Sequence, residues 1–169
     1  RSRVTSTPFV SSAQPRWSPS GRHVIFVDRT SRRDGLAAVR ADGSGELVRL
    51  VDGRGPLTSF SLAPDGRSIA FAETVTGEDR SPSDIWLLPV DFSGADPRAT
   101  GNPEPLLKTQ FNERGPVFSP DGRWLAYLRQ QSGQVAVHVR DRRSGQDSLA
   151  VAAGVLNGPY PPSLSPDGS

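Results

Sequence analysis

The chain has 169 residues, a formal net charge of +2, and 17 Gly and 16 Pro residues, so Gly and Pro together occupy about a fifth of all positions. Long helices are disfavoured, because Pro costs about 3 kcal/mol and Gly about 1 kcal/mol in a helix interior. The apolar residues lie in short dense runs, which argues against disorder and falls short of the roughly 18 apolar residues of a membrane span. The composition predicts an all-β domain with many tight turns.

The distribution of charge and the absence of cysteine exclude several kinds of partner. Basic residues form only isolated doublets, such as Arg32-Arg33 and Arg142-Arg143, and not the patch or stripe that nucleic-acid binding requires. With no Cys, disulfides and thiolate metal sites are excluded. We therefore expect no nucleic-acid partner, no membrane insertion by this segment and no cofactor. Because the chain contains no Met, we expect it to be a piece of a longer polypeptide.

Four copies of a turn motif run along the chain, with prolines at Pro19, Pro64, Pro120 and Pro166. Pro presets the first corner of a tight turn, Asp bonds its own backbone, and Gly accepts a positive φ. The middle spacing is longer than the other two, and polar, turn-rich stretches at 76–83 and 93–103 account for the excess as expected surface loops. The motif indicates a repeat of about 45 residues.

Apolar runs recur at fixed positions after each motif and predict the strands of each unit. The second strands are predicted at 23–27, 68–72 and 124–128, the third at 36–40, 84–90 and 135–141, and the fourth at 46–51, 104–108 and 147–152. Four strands in a repeat of about 45 residues are typical of a β-propeller blade. We expect Phe26, Phe71, Trp124 and Tyr127 to pack between blades.

The repeats predict a partial β-propeller of about three complete four-stranded blades plus flanking strands. The predicted divisions are 1–12 as the outer strand of a preceding blade and a linker, 13–55 as blade 1, 56–113 as blade 2 with loop insertions, 114–157 as blade 3, and 158–169 as the inner strand of a truncated fourth blade. Such an open fragment of a larger propeller would expose apolar blade faces. We expect it to self-associate or to be covered by further blades of the parent chain.

The motif sequences resemble those of TolB-like propellers, bacterial relatives of the WD-repeat family. The closest copy is Phe118-Ser119-Pro120-Asp121-Gly122-Arg123-Trp124-Leu125-Ala126-Tyr127, whereas the first copy has Ser20 where Asp is usual. A narrower resemblance, in 84–89 and 105–123, is to propellers fused behind bacterial Ser/Thr kinase domains, which implies an extracytoplasmic sensing or interaction module. Similar propellers also precede the hydrolase domain of prolyl-oligopeptidase-like enzymes and restrict access to it.

The residues that could carry chemistry are explained by local structure. The two histidines, His23 and His138, lie in predicted strands, where we expect exposed or half-exposed faces. No Gly-x-Ser-x-Gly elbow or kinase signature is present. Asp65 and Asp121 are expected to cap their own turns, and the oxygen-ligand spacing of a calcium loop is missing. We predict no catalytic residue and no metal site.

Loops that lead into the innermost strands would line the mouth of the central channel and are the best place for a ligand. The predicted site residues are Arg54, Asn112, Glu113, Arg114, Asn157 and Tyr160. The sequence favours a non-catalytic binding or sensing module of a larger bacterial protein, with a protein partner or small ligand at the channel mouth, in the periplasm or otherwise outside the cytoplasm. A propeller that gates a prolyl-oligopeptidase-like hydrolase, a propeller enzyme acting on sugars, and a cytoplasmic location remain alternatives.

Overall fold

A computed structural model of the protein describes residues 12–29, 33–74 and 83–152. Every regular element in these ranges is a β-strand. The strands are β1 (Ser12–Trp17), β2 (His23–Asp28), β3 (Gly35–Arg40), β4 (Val48–Asp52), β5 (Leu57–Leu62), β6 (Ser68–Thr74), β7 (Ser83–Asp91), β8 (Arg98–Ala99), β9 (Glu104–Leu107), β10 (Asn112–Phe118), β11 (Trp124–Gln131), β12 (Gln134–Asp141) and β13 (Asp147–Val151).

The strands form three antiparallel sheets that follow the chain order, which we call blades 1 to 3. Blade 1 is β1-β2-β3-β4, blade 2 is β5-β6-β7 with β8 and β9 both paired to β7, and blade 3 is β10-β11-β12-β13. The predicted second and third strands are all present. The all-β partial propeller with open sheets is therefore confirmed.

The predicted loop at 93–103 is partly wrong, because it contains a short strand. β8 pairs with the end of β7, where Val90 faces Ala99 and Asp91 faces Arg98. Phe92, which leads into this segment, is 6% exposed and belongs to the core shared by blades 1 and 2. The insertion therefore extends the outer edge of blade 2 and packs inward, although its polar composition indicates a solvated loop.

The motif turns are closed by the side chains that the sequence predicts. The backbone N–H of Arg67 donates to Asp65 Oδ1 at 2.9 Å, and that of Arg123 donates to Asp121 Oδ1 at 3.0 Å. Ser119 Oγ donates to Asp121 Oδ1 at 2.5 Å. Hydrogen bonds from Ser119 and from the Arg123 backbone hold the pKa of Asp121 below its usual value. The predicted capping is confirmed.

Two apolar cores join neighbouring blades. Blades 1 and 2 share one core, which includes Ile25, Val27, Leu36, Phe60, Phe71 and Trp86. Blades 2 and 3 share the other, which includes Ala70, Ala72, Ile85, Phe118, Leu125 and Tyr127. Phe71 is 1% exposed and Tyr127 is 0% exposed. The expectation that these two aromatic side chains pack between blades is therefore confirmed.

The expectation that Trp124 and Phe26 pack between blades is not tested, because each lies on the face of its blade that points away from the neighbouring blade in the described residues. Trp124 precedes Leu125 in β11, and because side chains alternate along a strand, it points away from the core that Leu125 joins. It is half-buried, with the Arg123 guanidinium 4.5 Å from its ring centroid. Phe26 is buried, but its cluster contains only residues of blade 1, namely Ala37, Val39 and Val24.

The expectation that His23 lies on an exposed or half-exposed face is wrong. His23 is 1% exposed because the segment after Phe92 covers it. Its Nε2 lies 2.9 Å from the Ala95 carbonyl oxygen, and its ring centroid lies 6.0 Å from that of Phe92. His138 is half-buried as expected and stacks on Tyr127 with 5.6 Å between ring centroids.

Candidate functional site

A groove of about 760 Å³ runs along the first strand of each of the three blades, the strand that a propeller places innermost. Its walls are β1, β5 and β10, with Leu128 from β11 and with Pro64, Ser119 and Pro120 from the motif turns. The lining residues are Gln14, Arg16, Thr58, Ser59, Phe60, Ser61, Leu62, Pro64, Arg114, Gly115, Pro116, Val117, Phe118, Ser119, Pro120 and Leu128. This volume lies within the range of small-molecule sites.

Hydrogen bonds between inner strands fix the walls of the groove. The hydroxyl of Ser59 accepts from the backbone N–H of Gly115 at 2.9 Å, and that of Ser61 accepts from Phe118 N–H at 3.3 Å. On the other side, Gln14 Nε2 donates to the Thr58 carbonyl at 2.7 Å. These bonds cross from blade to blade, so the groove is a preformed feature of the stacked blades.

Arg114 is the predicted site residue that the structure places in the groove. It is half-buried, and its guanidinium makes no hydrogen bond or ion pair in the ranges that the structure describes. Asn112 lies two residues earlier, and its Nδ2 donates to Gln130 Oε1 at 3.4 Å. Its Oδ1 is buried and has no hydrogen-bond partner in the part of the chain that the structure describes.

Glu113 lies at the start of β10 but does not line the groove. It is 0% exposed and accepts hydrogen bonds from Thr109 Oγ1 at 2.5 Å and Arg129 Nε at 3.1 Å. Burial raises the pKa of the Glu113 carboxyl, although Thr109 and Arg129 act in the opposite direction. Its Oε2 has no hydrogen-bond partner among the described residues. Glu113 is therefore a buried member of an ion pair within blade 3.

Arg54 also lies outside the groove lining, in the link between blades 1 and 2. Its Nε donates to Glu73 Oε2 at 3.2 Å, and its guanidinium lies 3.7 Å from the ring centroid of Trp86. Glu73 is 1% exposed and accepts the Arg54 backbone N–H as well. These contacts attach the link to blade 2 and engage the Arg54 side chain within the fold. The predicted Asn157 and Tyr160 lie outside the described residues.

Sequence reasoning missed Arg16 and the hydroxyl residues of β5, which line the groove. The signal was present, because these residues precede the motif turns at Pro19 and Pro64 and so occupy the innermost strand. The prediction placed the site in the loops at the channel mouth. In the structure, the cavity instead follows the strands themselves.

Neither histidine is in a catalytic arrangement in the described ranges. His23 Nε2 bonds to a carbonyl and His138 stacks on Tyr127, so neither ring bonds a serine hydroxyl. Burial lowers the pKa of His138, and the Arg129 charge adds to this effect. Among residues 12–29, 33–74 and 83–152, no group of His, Cys, Asp or Glu is arranged to hold a metal ion, and no helix there could cross a bilayer.

Comparisons with known proteins agree with this architecture. No protein-family model matches the chain. It is 25% identical over 166 residues to the Tol-Pal system protein TolB of Francisella tularensis, covering 98% of this chain and 35% of that protein. It is 26% identical over 144 residues to the uncharacterized peptidase YuxL of Bacillus subtilis, covering 69% of this chain and 21% of that protein. The chain thus spans about a third or less of these curated relatives.

Solved structures share the fold at low sequence identity. The putative TolB of Agrobacterium tumefaciens superposes with a TM-score of 0.70 at 23% identity, over 98% of this chain and 57% of that one. A puromycin-hydrolyzing peptidase of Mycobacterium tuberculosis superposes with a TM-score of 0.68 at 17% identity, over 85% of this chain and 22% of that one. The fold is that of a TolB-like β-propeller. Fusion to a kinase domain remains a prediction.

Proposed function

We propose that this propeller segment is a non-catalytic binding or sensing module of a larger bacterial protein, and that the groove along β1, β5 and β10 receives its ligand or protein partner. The observation that carries the proposal is the groove itself, which is preformed and lined by both apolar and hydrogen-bonding side chains. The likeness to TolB supports a binding role and a location outside the cytoplasm.

A second candidate is a propeller that gates the active site of a hydrolase elsewhere in the parent chain. Its support is the likeness to two peptidases, one in sequence and one in fold. In that case the groove is part of a substrate path, and the parent protein cleaves peptides. A kinase domain and membrane helix in the parent chain would instead favour a sensing module. Peptidase assays of the parent protein separate these two architectures.

We also propose that residues 1–11 and 158–169 belong to further blades, and that another blade covers blade 1, from either the parent chain or a second copy. Trp17 is 64% exposed. It aligns by the motif with Leu62 and Phe118, which pack against the blade before their own. The repeat therefore assigns Trp17 to a contact with a preceding blade.

The binding role is tested by screening a decapeptide library and a metabolite library for compounds that raise the Tm of the purified protein. Thr58 is exposed within the groove, so Thr58→Trp narrows it with little effect on the core. Leu149→Trp is the control, since Leu149 is 59% exposed on the outermost strand. Compounds that stabilise the wild type should stabilise Leu149→Trp and not Thr58→Trp. Equal shifts in both variants, or no binder at all, would contradict the proposal.

A further inference from the structure

We propose that the groove binds a small dianionic ligand, whose two acidic groups contact Arg16 and Arg114 and whose apolar body lies between them. The inference rests on the proposed function of the groove and adds the chemical class of the ligand. The charge of the lining is one-sided, because Arg16 and Arg114 are cationic and none of the lining residues is Asp or Glu. The two guanidinium groups would attract an anion in this groove, and no carboxylate among the lining residues would repel it.

Arg114 is available to a ligand. A guanidinium carries five N–H donors in a fixed fork that matches a carboxylate or phosphate. Arg114 is half-buried, and in the described ranges it donates to no acceptor. Its neighbour Glu113 is bonded to Thr109 and Arg129 and is absent from the groove lining. Among the residues that the structure describes, no ion pair therefore uses the Arg114 charge.

Arg16 supplies the second charge from another blade. It is exposed and makes one hydrogen bond in the described part of the chain, from Nη1 to the Pro15 carbonyl at 3.3 Å. Arg16 lies on β1 and Arg114 on β10, and β5 runs between these strands in blade order. Both β1 and β10 pack against β5, so the two arginines lie on the strands that border the inner strand of blade 2.

The groove wall between the two arginines carries apolar side chains as well as the hydroxyl groups of β5. β5 contributes Phe60 and Leu62 and β10 contributes Val117 and Phe118 to the groove. A ligand with two acidic ends and a hydrocarbon middle would meet the guanidinium groups at its ends and bury its middle on these side chains. Hydrophobic burial and charge-assisted hydrogen bonds would then act together.

The test is calorimetric titration of the protein with linear α,ω-dicarboxylates from succinate to sebacate, at low ionic strength, where surface charges are least screened. Affinity should rise with chain length until the two carboxylates reach both guanidinium groups at once, and should not rise further for longer chains. Octanoate, with one carboxylate, should bind about tenfold or more weakly, equivalent to about 1.4 kcal/mol. Titration with hexane-1,6-bisphosphonate shows whether the groove binds phosphonate groups more tightly than carboxylate groups.

Arg114→Gln and Arg16→Gln should each reduce dicarboxylate affinity about tenfold, to the level of octanoate. Arg143→Gln is the control, because Arg143 is exposed, lies outside the groove lining and changes the net charge equally. The proposal would be overturned if all three variants lost affinity equally or if 1,8-diaminooctane bound more tightly than the dicarboxylates. It would also be overturned if hexaglutamate bound and none of the small dianions did. If library compounds bind, are blocked by Thr58→Trp and are unaffected by Arg114→Gln, the dianionic class fails while the binding role of the groove stands.

Discussion

Gly122, in the motif turn of blade 3, lies directly against the ring of Pro64 in the motif turn of blade 2. Gly122 has φ +71°, and a Cβ placed on it would be 3.2 Å from Pro64 Cγ. Gly66 has the same relation to Pro19, at 3.5 Å. The repeated turn therefore closes its own hairpin and also contacts the turn of the preceding blade.

The first prediction separates these two roles of the motif glycine. Gly122→Ala and Gly21→Ala both force a left-handed backbone on Ala, which costs about 1–2 kcal/mol. Gly21 has nearly the same φ, +68°, but nothing lies within 4 Å of its added Cβ. Gly122→Ala should therefore lower the free energy of unfolding more than Gly21→Ala, as measured by urea titration. Equal losses would show that the contact with Pro64 contributes nothing.

The second prediction concerns the core between blades 2 and 3. Tyr127→Ala removes a fully buried ring and should lower the free energy of unfolding by about 3–5 kcal/mol. Trp124→Ala is the control in the same strand. Because Trp124 is half-buried and outside the blade cores, its loss should cost less than half as much. A larger effect at Trp124 would mean that the two faces of β11 are assigned the wrong way round.

The fold could be predicted from sequence because the signals are local and repeated. A turn at Pro120-Asp121-Gly122 followed by an apolar run fixes a hairpin without knowledge of distant residues. The burial of His23 could not be predicted, since it depends on Ala95, which lies 72 positions later. The sequence places Arg16 and Arg114 on innermost strands, but only the side-by-side stacking of those strands shows that both residues line one cavity.

The third prediction uses the pH dependence of stability. The pKa of Glu113 is raised above its ordinary value of 4.5, so the folded state holds the proton more tightly than the unfolded chain. The free energy of unfolding should therefore fall as pH rises from 4.5 through the raised pKa. Glu113→Gln cannot ionise and should show a smaller fall between pH 4.5 and about pH 8 in urea titrations.

Asp121→Asn is a control of opposite sign. The lowered pKa of Asp121 means that its contribution is present above the ordinary value of 3.8 and is lost as pH falls through the lowered pKa. In Asp121→Asn, the free energy of unfolding should therefore fall less than in the wild type as the pH drops below 3.8. Its pH dependence above pH 4.5 should match that of the wild type. An unchanged profile in Glu113→Gln would indicate that the buried carboxyl does not titrate differently in the two states.

The fourth prediction concerns the exposed ring of Trp17, which is 64% exposed at a position that contacts the preceding blade elsewhere in the repeat. The purified chain should self-associate, and Trp17→Ser should shift sedimentation profiles toward the monomer of 18.1 kDa. Leu149→Ser removes a comparably exposed apolar side chain from the outermost strand and should have a smaller effect. A wild-type chain that is monomeric at all concentrations would defeat this prediction.

The central claim, that the groove along β1, β5 and β10 is the binding surface, is tested most directly by mapping amide chemical shifts. The ¹⁵N-labelled protein is titrated with the tightest compound from the library screen. The amides of Thr58, Ser61 and Val117, which line the groove, should shift first and furthest, while those of Ser148 and Leu149 on the outermost strand stay in place. Shifts concentrated on β13, with the groove amides unchanged, would contradict the claim.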